Sequence, residues 1–290
     1  MSTNAVAEPG SALGGWVRHV SVAELARARD ITESDPLVHG FLASRIALGM
    51  RDSWRMGGGL WGYFTGAGLE SILFVGANIV PSTTTHEARL AFAQELVRTG
   101  RRSSALLGPR TDVLGLWDLM SSSWGLPREV RANQPYLSLE GKALGVRDPR
   151  VRHVTAGELP ILLPASIHMF TEEVGVSPIL HGGQVQYERR VAEVIAQRHA
   201  FAIIENNRVL FKAEVGYATP TVAQIQGVWV APELRGHGIA APAVAAVADI
   251  IQRAIAPTVT LYVNDFNTPA LRTYARAGFR QCDTFATVLF

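Results

Sequence analysis

The stretch Val228–Ala240, VWVAPELRGHGIA, begins as an apolar strand, passes through an Arg-Gly-x-Gly turn and opens a long apolar helix. Gly236 and Gly238 carry no β-carbon, so the backbone there is free to take positive φ angles and to approach a ligand closely. The helix that follows, from about Ile239 to Ala254, leaves its first amides without partners and carries partial positive charge at that end. The stretch therefore predicts a cradle for a phosphate or another anion.

The stretch does not match the sequence patterns of two other glycine-rich phosphate-binding loops. No Gly-Lys-Ser/Thr follows, as a P-loop requires, and the three-glycine spacing of a dinucleotide fingerprint is missing. Taken alone, Arg-Gly-x-Gly is also compatible with a plain strand-to-helix turn. The next segment favours the cradle, because a β-rich strand, Thr258–Val263, leads into a short helix that is capped by Asn267 or Thr268 and closed by Gly278.

Together these segments resemble the two central motifs of the GNAT superfamily of acyl-CoA N-acyltransferases. The first motif is Val-x-Pro-x-x-Arg-Gly-x-Gly-x-Ala at Val230–Ala240, and the second is Asn-x-x-Ala-x-x-x-Tyr-x-x-x-Gly-Phe at Asn267–Phe279. The resemblance covers roughly Val151 to Phe290. It implies an α+β domain built around a mixed sheet, with acetyl-CoA as co-substrate and no metal.

The resemblance also implies roles for individual residues. In that family the glycine loop binds the coenzyme A pyrophosphate through backbone amides, and the strand before it pairs with the pantetheine arm. The implied coenzyme contacts here are Val228, Trp229, Val230, Arg235, Gly236, His237, Gly238, Ile239, Ala240, Asn264 and Asn267. His237 occupies a variable place in the loop, where we expect it to face solvent. Tyr274 matches the tyrosine that protonates the departing thiolate, and its alternative role is that of a core tyrosine.

The base of the reaction is harder to identify. A lysine-like amine with a pKa near 10.4 is neutral in only about one in 10³ molecules at pH 7, so a base that accepts its proton is useful. Many family members place a glutamate on the strand before the cradle, but the matching position here is Gln224, which cannot accept a proton at neutral pH. Glu214, on the preceding strand, is the first substitute, and Glu172 or Glu173, on the loop that lines the acceptor side in this family, are the next. Each of these carboxylates is also compatible with a solvated surface role.

An internal echo indicates two related domains. Val17–Leu25 recurs as Val151–Leu159 with six of nine positions identical, and both copies combine a short strand with a Ser/Thr-x-x-Glu capping box. Chance similarity is the alternative. The echo favours an α+β protein of two GNAT-like domains, each a mixed β-sheet flanked by helices, with the N-terminal one abbreviated. We predict a disordered tail at 1–15, a degenerate domain at 16–145 and a catalytic domain at 146–290.

The first domain lacks a cradle. Where the second has Arg-Gly-His-Gly, the first has Pro81–His86, PSTTTH, whose β-branched threonines do not easily take positive φ. We expect this half to be catalytically silent, to pack on the other half and to shape its acceptor cleft, in a tandem architecture similar to that of mycothiol synthase. Its strands are predicted near residues 60–65, 69–80, 104–107 and 135–139, and its helices near residues 86–98 and 112–120.

Composition excludes several classes. The chain has 290 residues, 48% of them hydrophobic and 18% charged, with a formal net charge of +2, so it reads as an ordinary globular protein without the clustered basic charge that nucleic acid or an anionic membrane requires. One cysteine, Cys282, excludes a disulfide within the chain, and we expect it to be a buried strand residue. The histidines show no metal-ligand spacing. We expect a cytoplasmic protein.

The leading hypothesis is an N-acetyltransferase that transfers an acetyl group from acetyl-CoA to a primary amine, either a small molecule or a protein amino group, by direct attack on the thioester. One alternative is a non-catalytic acyl-CoA-binding sensor or scaffold, in which the missing glutamate reflects lost catalysis. Another is a transferase for a different acyl group or donor. The sequence leaves the acceptor and the oligomeric state open, because fold-level analogy does not name a substrate.

Overall fold

The computed structural model describes residues 14–82 and 84–290, so most of the predicted tail and Thr83 lie outside the described residues. The chain divides into two compact units. The first unit runs to Gln134 and also contains Asp283–Phe290, and the second unit is Pro135–Cys282. The domain boundary predicted between residues 145 and 146 stays a prediction.

Strands and helices are both distributed along the whole described chain. In chain order up to residue 139 they are β1 (Trp16–His19), α1 (Leu25–Glu33), α2 (Gly40–Arg51), β2 (Gly58–Thr65), β3 (Gly68–Gly76), β4 (Asn78–Ser82), α3 (His86–Thr99), β5 (Ala105–Pro109), α4 (Arg110–Trp124) and β6 (Glu129–Leu139). The rest are β7 (Arg152–His153), α5 (Leu159–Val174), α6 (Gln184–Ala196), β8 (Ala200–Glu205), β9 (Arg208–Ala218), β10 (Val222–Val230), α7 (Ala240–Ala254), β11 (Thr258–Tyr262), α8 (Thr268–Ala277) and β12 (Arg280–Leu289).

In the first unit, the strands β1 to β4 form an antiparallel run, β4 and β5 are parallel, and β5 pairs antiparallel with the end of β12. Successive residues of β3 point to opposite faces, as a strand requires. Leu73 therefore packs with α3 and α4, whereas Ile72 packs with α1 and α2. The prediction of one strand over residues 69–80 was wrong, because the chain reverses after Gly76 and pairs Val75 with Ile79.

In the second unit, the strands follow the order β6-β11-β10-β9-β8-β7, and only the pair β10 and β11 is parallel. Helix α7 is apolar on most of its surface and packs with α8 on one face of this sheet, where Val244, Val247 and Ile251 are fully buried. Helices α5 and α6 cover the other face. The sequence placed α7 within one residue of its observed bounds.

Both copies of the internal echo fold into the same local structure. Ser21 with Glu24, and Thr155 with Glu158, form complete capping boxes. An arginine on the strand before each box adds an ion pair to the glutamate, at 2.7 Å for Arg18 and 2.6 Å for Arg152.

Two further points complete the fold. Cys282 lies on β12 as predicted but is exposed, not buried, because the outer part of that strand faces solvent. None of the helices in the described part of the chain is long and apolar enough to cross a membrane.

Candidate active site

The glycine loop has the backbone conformation that the sequence predicted. After β10 the chain makes a short 3-10 turn at Pro232–Leu234, and Gly236 and Gly238 then take φ angles of 82° and 81°. A β-carbon added at either glycine would meet nothing within 4 Å. Glycine is therefore favoured at both positions because of the positive φ angle, since a β-carbon there would not clash with the described residues.

The amides of this loop are available to a ligand. No side chain of the described residues caps α7. Among residues 84–290, no oxygen accepts a hydrogen bond from the amides of Gly236, Gly238 or Ile239. Free amides at the positive end of a helix dipole are the kind of group that can hold an anion such as a diphosphate. The coenzyme contacts predicted for this loop stay a prediction.

The corresponding helix of the first unit is closed by its own side chains. Thr85 caps α3 by accepting from the amide of Ala88 at 3.1 Å, and Arg89 donates to the Thr84 carbonyl at 2.6 Å. Asp112 also accepts from the Thr84 hydroxyl. Protein groups thus satisfy the helix start that the second unit leaves open.

The strand before the cradle offers an unpaired edge. The parallel ladder joins Val222–Gln224 of β10 to Thr258–Thr260 of β11, and the described ladder ends there. The segment Val228–Val230, predicted to contact the pantetheine arm, lies beyond the ladder. Backbone groups past the last rung can pair with an extended ligand, in the manner of an added strand.

Arg235 ties the cradle to α5. Its Nε donates to the carbonyl of Val230 at 3.0 Å, and its Nη2 donates to Oε2 of Glu172 at 2.7 Å. Both charged side chains are about half exposed. Glu172, predicted for the acceptor side, is therefore paired with the cradle arginine. His237 is exposed, with its Nδ1 3.1 Å from the Arg235 carbonyl.

Tyr274 is buried on α8. Burial, and to a smaller extent the charge of Glu173, raises the pKa of Tyr274 well above its ordinary value, so the phenol is protonated at neutral pH. Asn267 caps the same helix, and its Oδ1 accepts from the Ala270 amide at 3.2 Å. This leaves the NH₂ group of Asn267 to contact a ligand. The carbonyl of Asn264 accepts from the Asn267 amide at 2.9 Å.

The two candidates for the base on the sheet differ in their surroundings. Gln224 is buried at the last rung of the ladder, level with Tyr217 and Thr260. Glu214 is buried on β9, where it accepts from Nη2 of Arg190 at 2.6 Å and from Gln226 at 2.8 Å.

The carboxylate of Glu214 has a further cationic neighbour in Lys212, whose Nζ lies 3.8 Å from it. Burial alone would raise the pKa of Glu214, but the charges of Lys212 and Arg190 and the hydrogen bonds from Arg190 and Gln226 outweigh burial, so the net shift is downward. Glu214 is thus held as a carboxylate with little tendency to take a proton.

Sequence reasoning missed Lys212, Arg190 and Gln226. Lys212 and Glu214 stand two residues apart on one face of an otherwise apolar strand, and that pattern was the available signal. Arg190 comes from α6 and carries no such signal. Among residues 14–82 and 84–290, no group of three or more His, Cys, Asp or Glu side chains is placed to hold a metal ion.

Two family models match the chain. Residues 58–162 match a domain of unknown function, DUF4081, and residues 185–279 match the Acetyltransferase (GNAT) family. No match is found among curated proteins.

Solved structures match over nearly the whole chain. An acetyltransferase of the GNAT family from Colwellia psychrerythraea has a TM-score of 0.58 at 14% identity, covering 94% of this chain and 99% of its own. A tandem GNAT protein from the clavulanic acid biosynthesis pathway has a TM-score of 0.56 at 13% identity, covering 95% and 98%. A GCN5-related N-acetyltransferase from Sphaerobacter thermophilus has a TM-score of 0.55 at 15% identity, covering 95% of each chain.

At these identities the solved structures show the fold alone, while the family model covers the cradle and Tyr274. The cradle is open in the second unit and closed by side chains in the first. Residues 185–279 therefore match the Acetyltransferase (GNAT) family, and the chain as a whole shares the fold of GNAT acetyltransferases, a tandem GNAT protein among them.

Proposed function

We propose that this protein is a cytoplasmic N-acetyltransferase that moves an acetyl group from acetyl-CoA to a primary amine, on a small molecule or on a protein. The observation that carries the proposal is the open start of α7, where the amides of Gly236, Gly238 and Ile239 have no acceptor among the described residues and a β-carbon at either glycine would meet nothing within 4 Å. The GNAT family match over residues 185–279 supports acyl transfer from an acyl-CoA in general.

In this proposal the second unit holds the coenzyme at two places. The amides of Gly236, Gly238 and Ile239 bind the diphosphate, and Arg235 adds a positive charge beside it. The backbone of Val228–Val230 pairs with the pantetheine arm. Acetyl-CoA, when bound, supplies an activated thioester carbonyl, and these contacts align it for attack.

Tyr274 then acts as the acid. Its protonated phenol donates to the sulfur as the bond between carbon and sulfur breaks, so the leaving group departs as a neutral thiol. Burial keeps this proton in place at neutral pH. Asn267, the N-cap of the same helix about two turns before Tyr274, orients the arm through its NH₂ group.

The base is the weakest part of the site. Gln224 has no basic atom, and Glu214 is held by Arg190 and Lys212. We propose that the attacking amine loses its proton to solvent near Glu173, which is exposed. Alignment of amine and thioester supplies much of the rate in this scheme, since proximity alone is worth ~7 kcal/mol or more in well-oriented systems.

A second candidate is a non-catalytic acyl-CoA sensor. The glutamine at position 224 and the paired state of Glu214 favour it. Transfer of another acyl group remains a third alternative.

Free-thiol release from acetyl-CoA, measured across a panel of small amines and amine-bearing peptides together with coenzyme binding by calorimetry, separates these functions. Turnover with any amine supports the transferase. Tight binding without turnover on any acceptor supports the sensor, and no affinity for CoA or its thioesters rejects both.

A further inference from the structure

A buried lysine occupies the strand next to the proposed pantetheine segment. Lys212 on β9 is only 1% exposed, and its Nζ donates to the carbonyl of Gly227 at 3.1 Å. Burial lowers the pKa of Lys212, Glu214 and Glu173 act in the opposite direction, and Arg190 adds to the lowering. A lysine placed in a sheet at this energetic cost is expected to satisfy a group that an apolar side chain cannot.

That group belongs to a β-bulge. Gln226 pairs with Glu214 and Trp229 pairs with Lys212, so Gly227 and Val228 stand opposite one residue of β9. Gly227 takes a positive φ of 59°. A bulge bends its strand and leaves a backbone group outside the ladder, and here the Gly227 carbonyl points to Lys212.

The surroundings leave the bulge little freedom. A β-carbon on Gly227 would lie 3.1 Å from Nζ of Lys212 and 3.1 Å from Cε of Met169. Glu214 in turn contacts Lys212, Gln226 and Arg190, so both strands of the bulge join one charged network.

The bulge also sets the direction in which the backbone groups and side chains of the following residues point. A shift of one residue in a strand exchanges its two faces, so the conformation at Gly227 decides which backbone groups of Val228–Val230 face the open edge. The first residue of that segment, Val228, is itself the second residue of the bulge.

We propose that Lys212 is a positioning residue, whose ammonium group holds the Gly227 carbonyl and so fixes the bulge that orients Val228–Val230 towards the pantetheine arm of the coenzyme. The inference rests on the proposed function, because it assumes that a coenzyme lies along this edge. The cradle at Gly236–Ala240 follows later in the chain and forms its own contacts, so Lys212 has no part in binding the diphosphate.

The test compares two ligands by calorimetry on the full chain. CoA carries both the diphosphate and the pantetheine arm, whereas 3′-phosphoadenosine 5′-diphosphate carries the diphosphate without the arm. Lys212→Met keeps an unbranched side chain that is one atom shorter and removes the donor. It should weaken CoA binding by roughly tenfold, the effect of one lost hydrogen bond to a buried group, and leave the nucleotide affinity unchanged.

Gly227→Ala disturbs the bulge from the other strand and should give the same selective loss, which keeps the test decisive if Lys212→Met fails to fold. Val215→Ala is the matched control, since it truncates a buried residue of β9 that has no bond to Gly227. It should leave both affinities unchanged.

Equal weakening of both ligands in the Lys212 and Gly227 variants would show a merely structural role and overturn the inference. Unchanged CoA affinity in both variants would overturn it as well. If the wild-type protein binds neither ligand, the proposed function itself fails. That failure can be told apart from failure of the Lys212 inference, because it is seen in the wild type without any variant.

Discussion

Nη2 of Arg235 donates to Oε2 of Glu172 across 2.7 Å, which joins the cradle to the last turn of α5. Both side chains are 46% exposed, so the pair contributes about 1 kcal/mol or less to stability. We expect a larger effect on coenzyme binding, because the negative charge of Glu172 beside the cradle would repel an anionic coenzyme.

Glu172→Gln should therefore leave the unfolding free energy nearly unchanged and tighten CoA binding by about threefold, because Arg235 loses a competing anion. The gain should shrink at high ionic strength. Calorimetry at low and high salt measures both effects, with Glu193→Gln as a control that removes one exposed charge from α6. A weaker affinity in Glu172→Gln would show that this carboxylate helps to hold the coenzyme.

Gly238→Ala tests the cradle. The residue has a φ of 81°, so alanine should cost about 1 kcal/mol or more in stability, and its β-carbon enters the ligand space. We expect CoA affinity to fall roughly tenfold. Gly145→Ala is a matched control with a φ of 75° away from the cradle, and it should lose stability alone. Equal CoA affinity in the two variants would place the diphosphate elsewhere.

Tyr274→Phe removes the proposed acid without changing the ring. Thiol release should fall by roughly 10²-fold while CoA affinity is retained, because the phenol acts only on the departing sulfur. Tyr187→Phe serves as the control. The Tyr187 hydroxyl donates to the Ser166 carbonyl at 2.9 Å, so its removal should cost about 1 kcal/mol of stability without loss of turnover. Full activity in Tyr274→Phe would remove the tyrosine from the mechanism.

The capping box of the second unit predicts a pH effect on stability. Hydrogen bonds from Arg152, opposed by burial and reinforced by Thr155, lower the pKa of Glu158 from 4.5 to about 2. A lowered folded-state pKa means that this carboxylate stabilises the fold above about pH 4.5, and that its contribution disappears as the pH falls towards 2.

Urea unfolding of Glu158→Gln and of the wild type should therefore differ most at neutral pH, and the difference should shrink steadily below pH 4.5. Glu140→Gln, at an exposed position, should show no such trend. A difference that is constant with pH would mean that the carboxylate charge is not what stabilises the box.

Thr85→Ala tests the prediction that the first unit takes no part in coenzyme binding. Loss of the α3 cap should cost about 1 kcal/mol of stability, the usual value of an N-cap, and should leave CoA affinity unchanged. Thermal unfolding and calorimetry measure the two quantities. A matching loss of coenzyme binding would mean that the first unit takes part in the coenzyme site.

Local features of the fold followed from the sequence because they depend on neighbouring residues. Positive φ at Gly236 and Gly238 follows from the missing β-carbon, and the cap at Asn267 and both capping boxes are formed by side chains within a few positions in the chain. Two local predictions failed. The hairpin after Gly76 was taken as one strand because its residues are apolar on both sides of the turn, and the exposure of Cys282 depends on what covers its strand.

The sequence by itself determined the cradle, the helix behind it and the duplicated strand-to-helix motif, since glycine freedom, proline position and capping act over a few residues. Only the tertiary structure decided the state of Glu214, because Arg190 reaches it from α6 and Gln226 reaches it from β10. It also revealed the bulge at Gly227 and the partner of Glu172. Charge pairing depends on which elements pack together, and packing brings together residues that are far apart in the chain.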